Sequence, residues 1–236
     1  RPDGEDTFFY IEGCVTLFSH TQRAKKLFGL RGYNVRRRIN IDKNSFFSAS
    51  REIIFYTDSH SQAILDRWEN PITTEISAVS PVQNDRVNRR YERKTDVIYD
   101  VTLDGSKTIA KVEPAISLDD RWLFQCDIFP FYELTEGITY SAAELFNFHV
   151  SEKACIPYDP YNLTVVADWT RVGPFLPWMN DMSGYDFLIY HCFSERRSLA
   201  AIPADIRARV TNRYPEFLHA PETVEIMKGS QTSWKK

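Results

Sequence analysis

The sequence predicts an all-β protein, a closed antiparallel lipocalin-like barrel of about ten or eleven strands with one or two short helices, forming a single domain over residues 1–236. Three observations lead there. Short runs rich in Phe, Tyr, Ile, Val and Thr recur between turn signals; long helical periodicity is nearly absent; and aromatic residues make up 14% of the chain against only 9 glycines. Many antiparallel strands with few helices must stack as a sandwich or close into a barrel. Closure is expected here because it removes exposed edges.

The early strand-like runs are Phe8 to Phe18, Asn34 to Ile41, Phe46 to Tyr56, Ala63 to Trp68, Ile76 to Val82 and Asp96 to Leu103. The later ones are Thr108 to Glu113, Trp122 to Leu134, Leu163 to Thr170 and Tyr185 to Phe193. Asp104-Gly105 is a hairpin signal that pairs the runs on either side, since a tight primed turn needs positive φ. Only Ala204 to Arg213, after Pro203, reads as a helix, and Thr21 to Phe28 allows a short turn. Between Ser141 and Val150 two signals compete: Ser141 with Glu144 forms a capping box, while Phe146, Phe148 and Val150 alternate as in a strand.

Composition narrows the function classes. With 29 Lys and Arg against 32 Asp and Glu, and a net charge of -3, no overall field favours nucleic acid. Apolar runs are too short for a membrane helix, so no membrane span is expected. An aromatic surplus in a barrel suits walls around a flat apolar guest, although each ring taken alone is as well explained by core packing. The expected partners are therefore small apolar and phenolic molecules, with the protein a monomer or homodimer.

The sequence opens on Arg1, as after cleavage of a leader or trimming of the chain, its four cysteines (Cys14, Cys126, Cys155 and Cys192) are even in number, and a sequon, Asn162-Leu163-Thr164, lies beside a turn. Oxidised thiols and glycans both require the secretory route, so these features lead to an expectation of a secreted protein with Asn162 glycosylated. Reduced core thiols are the competing reading for the cysteines.

Nucleotide-binding glycine loops, the Walker lysine loop, His-Glu-x-x-His and Gly-x-Ser-x-Gly are all missing, so common cofactor and hydrolase chemistries lose their signatures. Neither a cofactor nor a metal is expected: the five histidines, His20, His60, His149, His191 and His219, lack ligand spacing. Arg36-Arg37-Arg38 reads as a solvated strand edge and Asp119-Asp120 as a turn. Asn70-Pro71 and Asn84-Asp85 read as turn-makers through their Asx side chains.

Several of these segments together carry a resemblance. Arg51-Glu52 with Tyr56 and Asp58, Trp68 with Asn70-Pro71 and Thr73, and Asn84-Asp85 with Val87 occur in order. They are followed by Trp169-Thr170-Arg171, Leu176-Pro177-Trp178-Met179 and Ala220-Pro221. This pattern resembles the domain-of-unknown-function family 1838 over roughly Gly13 to Pro221; the polar stretch Asn180-Asp181-Met182-Ser183-Gly184 departs from it. Fungal proteins similar to this pattern include secreted catalysts of hetero-Diels-Alder steps in tropolone-sesquiterpenoid biosynthesis. The resemblance implies a cofactor-free pericyclase joining a tropolone quinone methide, formed by dehydration, to a humulene-type terpene. A non-catalytic carrier barrel and a cofactor-free isomerase or dehydratase are the alternatives.

Such chemistry needs apolar walls, an oxygen-binding donor and an acid. Enclosing two partners in a near-attack pose supplies up to about 7–11 kcal/mol. The wall candidates are Trp68, Trp122, Phe124, Phe129, Tyr132, Trp169 and Trp178. Arg51 and Tyr56 are the donor candidates and His149 the acid, because its pKa lies near neutrality. An ion pair of Arg51 with Glu52 or Asp58, and a merely structural His149, are the competing readings.

Overall fold

A computed structural model describes residues 4–102, 105–135, 138–152 and 165–224, with side chains described throughout these except at 100–108 and 132–138. Strands β1 (Asp6–Phe18), β2 (Lys25–Asn40) and β3 (Ser45–Thr57) form a long antiparallel meander at its centre. Beyond β3 come β4 (Arg67–Glu69), β5 (Ile76–Ala78), β6 (Val82–Glu92), β7 (Val97–Thr102) and β8 (Gly105–Lys111). The rest are β9 (Ile116–Leu118), β10 (Arg121–Ile128), β11 (Phe131–Thr135), β12 (Ile138–Ser141), β13 (Ala143–Ser151), β14 (Val165–Gly173) and β15 (Phe187–Arg197). Eleven of them make one sheet in the order β8-β7-β6-β3-β2-β1-β15-β14-β13-β10-β9, while β4-β5 and β11-β12 are separate hairpins.

Register sorts side chains onto two faces. Leu30 lies opposite Tyr56, Asn34 opposite Glu52 and Gly13 opposite Cys192, so these residues share the concave face. Their odd- or even-numbered neighbours point outward: Phe8, Tyr10, Tyr33, Val35, Ile53 and Phe55 form the convex core. Gly13 and Gly32 sit where the backbone of the neighbouring strand approaches too closely for a side chain. A Cβ on Gly32 would lie 2.1 Å from the Ile53 carbonyl oxygen, and one on Gly13 would lie 2.3 Å from that of His191.

The expected closed barrel is corrected by the structure: the sheet curls into an open half-barrel and does not close. Its two ends do approach, since Ile98 and Ala110 pack with Cys126 and Ile128. β9 occupies the edge of β10 at Arg121 to Leu123, and beyond it an isolated bridge joins Val112 to Cys126. The Glu113 N–H donates to the Gln125 carbonyl at 3.0 Å beside it. No ladder between β8 and β10 forms among the described residues, and the sheet stays open between β8 and β9.

Helix α1 (Ala204–Arg213) covers the convex face through Ile206 and Val210, joined by Ile202, Phe217 and Ala220. At one end of the concave face, Trp68, Leu176, Met179 and Met182 pack on Leu17, Phe28 and Tyr56. Asn70, fully buried, ties this end together: its amide nitrogen donates to the carbonyls of Met179 (2.8 Å) and Asp181 (2.9 Å), and its oxygen accepts from the Ile72 N–H (2.8 Å).

Most strand expectations hold with shifted ends, and the helix occupies Ala204–Arg213 as read from sequence. Thr21 to Phe28 gives no helical turn, because β2 begins at Lys25, and the ambiguous segment after Ser141 is strand β13. Thr102 pairs with Gly105 across the β7-β8 hairpin, whose Asp104 lies outside the described residues. Asp119-Asp120 is the turn between β9 and β10. The Arg36 to Arg38 run, by contrast, lies on β2, an interior strand flanked by β1 and β3.

Candidate functional site

A band of buried polar side chains crosses the concave face. Register sets Tyr190, Arg171 and Glu144 side by side on β15, β14 and β13. The Arg171 guanidinium is only 4% exposed. Its Nη2 donates to the Tyr140 hydroxyl at 2.8 Å, and its plane lies 4.7 Å from the centre of the Tyr190 ring. Hairpin β11-β12 delivers Tyr140, and Gly173 clears the space, since a Cβ there would stand 2.7 Å from Arg171 Nη2. Burial works against the charge of Arg171, but Tyr190, Tyr140 and Glu144 outweigh it and raise its pKa.

Two carboxyls belong to the same interior. Glu144 on β13 and Glu52 on β3 have four strands between them in the sheet, and curvature brings their fields together. Burial holds both carboxyls above the ordinary range; Glu144 adds to the rise at Glu52, while Arg171 and Arg89 oppose that at Glu144. Asn84 donates to Glu52 at 2.8 Å. Tyr56 and Tyr190 influence each other electrostatically, and burial pushes the pKa of each upward. Together the band offers a buried cation, several hydroxyls and carboxyls biased toward their neutral, proton-donating form.

Aromatic rings flank this band. Trp169 stacks on Phe146 with ring centres 6.1 Å apart, and its buried indole nitrogen has no hydrogen-bond partner among the described residues. Trp122 and Phe124 lie on the same face, opposite Val150 and Phe148. Of the other wall candidates, Trp68 and Trp178 meet at 5.5 Å within the apolar end and Phe129 is 66% exposed, while the Tyr132 side chain lies outside the described residues.

The three catalytic candidates do not converge. Tyr56 is in the concave band, whereas Arg51 points outward: its Nε donates to Asp85 Oδ1 at 2.6 Å and its Nη1 to the carbonyls of Glu216 (3.1 Å) and His219 (3.0 Å). Arg51 thus fastens the C-terminal segment to β3. His149 also faces outward, its Nε2 2.9 Å from Asp168 Oδ2. Sequence reasoning missed Arg171, Tyr140, Tyr190 and Glu144 as site residues. A usable signal was present in parity: Glu52 and Tyr56 alternate in phase with the core residue Ile54, and Arg171 stays in phase with Trp169.

Cys14, Cys126 and Cys192 are free thiols, which favours the reduced-thiol reading over the disulfide one; Cys155 and Asn162 lie outside the described residues. The pairing fails because Cys14 and Cys192 sit on opposite faces of adjacent strands, with Cys14 opposite His191 and Cys192 opposite Gly13. Among the described residues no three His, Cys, Asp or Glu side chains gather as a metal site, and no helix is long and apolar enough to cross a membrane.

The fold and this face define an all-β half-barrel with a charged, aromatic-flanked interior. The chain matches the family described as protein of unknown function (DUF1838) over residues 4–236, and it belongs to that family. No curated protein matches it.

Proposed function

We propose that the concave face is the site of a cofactor-free pericyclase that dehydrates a hydroxymethyl tropolone and adds the resulting quinone methide to an alkene of a humulene-type terpene. The observation that carries this reading is the buried Arg171 bonded to Tyr140 beside Glu144, whose carboxyl burial holds toward its protonated form. Glu144 donates its proton to the departing hydroxyl, so that the C–O bond breaks and water leaves. The tropolone hydroxyl returns a proton to the carboxylate. Arg171 and Tyr140 hold the tropolone oxygen as charge shifts on the ring. In the second step the exocyclic carbon and the carbonyl oxygen form one C–C and one C–O bond to the alkene, with no atom lost. Trp169, Trp122 and Phe124 shield the methide from water.

The test is incubation of the protein with a tropolone carbinol and humulene, scoring rate and adduct stereochemistry. Arg171→Gln and Tyr140→Phe each lower the rate about 10²- to 10³-fold, and Glu144→Gln lowers it about 10²- to 10⁴-fold. His149→Asn leaves it unchanged. An adduct mixture identical to that formed in buffer overturns the reading; saturable quenching of tryptophan fluorescence without turnover then supports a carrier.

A further inference from the structure

Trp169 carries a polar atom that the fold leaves unused. Its indole Nε1–H is buried and has no hydrogen-bond partner among the described residues, although a buried donor without an acceptor costs stability and native interiors rarely retain one. Register explains why none is supplied. Trp169 lies opposite Phe146 on β13 and Cys192 on β15, with Ala167 and Arg171 as the next inward residues of β14, and no side chain in that set carries an acceptor oxygen. The residue as a whole is only partly buried, so a molecule on the concave face can lie against its ring. Stacking fixes the ring's position: Phe146 lies nearly parallel at 6.1 Å between centres, and Phe148 continues the stack 6.0 Å from Phe146.

This donor belongs to the same surface as Arg171. Tyr190 links them, its ring centre 6.1 Å from that of Trp169 and 4.7 Å from the Arg171 guanidinium carbon. Two residues apart on one face of β14, Trp169 and Arg171 are separated by about 6.5–7 Å of backbone. We infer that Trp169 is a specificity-determining residue that donates to a second oxygen of the ligand. The concave face then selects a flat ring bearing two neighbouring oxygens, one held by Arg171 and Tyr140 and the other by the indole N–H. A ring with a single oxygen leaves that donor unpaired, and an unpaired buried donor discriminates against the wrong ligand more sharply than an apolar wall does. The inference rests on the reading of the concave face as the ligand site, and it assigns Trp169 a part in binding whether or not turnover follows.

The test is calorimetric titration of the full chain with tropolone and with tropone, which lacks the ring hydroxyl, below the pH at which tropolone ionises. Wild type binds tropolone about tenfold more tightly than tropone, the gain from one further hydrogen bond. Trp169→Phe keeps an aromatic ring and loses the N–H. It weakens tropolone by about the same factor with an unchanged far-ultraviolet spectrum, and leaves tropone within about twofold, so the preference collapses. Replacing the Trp169 indole by benzothiophene, which has the same shape without the N–H, gives the same collapse and serves if Trp169→Phe does not fold. Equal binding of the two molecules by wild type, or absence of saturable tropolone binding, overturns the inference. So does a wild-type preference retained in either folded variant. Turnover decides the pericyclase reading separately: a wild type that discriminates through Trp169 without forming adduct keeps the inference and removes that reading, and turnover with a preference untouched in the variants does the reverse.

Discussion

On β3, Ile53 and Phe55 point outward beneath helix α1, whereas Glu52 and Tyr56 point inward. The convex side, which in an unadorned sheet would meet water, holds a continuous apolar seam of Tyr33, Val35, Ile206 and Phe217. The concave side joins an apolar cap at one end to carboxyls, phenols and guanidinium groups farther along. Stability is therefore concentrated on the outer face. Dehydrated polar groups carry a cost and are retained on the inner face, a division expected when one side of a scaffold serves a ligand.

The largest expected effect comes from the outer face. Phe217 is almost wholly buried against the convex seam, so Phe217→Ala removes its contacts and leaves a cavity worth about 3–5 kcal/mol. Urea denaturation measures this directly. A loss below about 1 kcal/mol would show that the C-terminal segment is peripheral and that the contrast between the faces is overstated.

Smaller, and able to separate structure from function, is Arg51→Met. Its links to Asp85 and to the carbonyls of Glu216 and His219 anchor the segment that carries Phe217. The variant is expected to lose about 1.5–2 kcal/mol of stability while any turnover on the concave face survives. Turnover abolished in a variant of full stability would return Arg51 to the site.

Sequence alone revealed much of this scaffold where the signal is local. Alternation in Phe8 to Phe18 and Phe46 to Tyr56 marks β1 and β3, and Pro203 followed by Ile206 and Val210 marks the helix. The missing closure was not legible, because local alternation marks strands but does not say whether the two ends of the sheet pair with each other. Much the same holds for the site. Tyr140 and Arg171 are 31 residues apart and meet only through the β11-β12 hairpin. Glu144 was obscured by its capping-box spacing to Ser141.

The smallest effect probes the inner face through pH. Burial raises the pKa of Glu144 in the folded protein above its unfolded value, so the native state keeps this proton longer than the unfolded chain does. Its contribution is fully present below the unfolded pKa and is lost as pH rises through the folded one. Glu144→Gln removes that titration. The difference in unfolding free energy between variant and wild type should then grow in the variant's favour from about pH 4 upward, by at most about 1.4 kcal/mol per pH unit, and level off above the folded pKa. Glu52, also raised by burial and partly by Glu144 itself, keeps a reduced slope in the variant. Urea midpoints across this range check it. Parallel curves would mean that Glu144 is ionised in the fold at these pH values, which would remove both its cost to stability and its capacity to donate a proton.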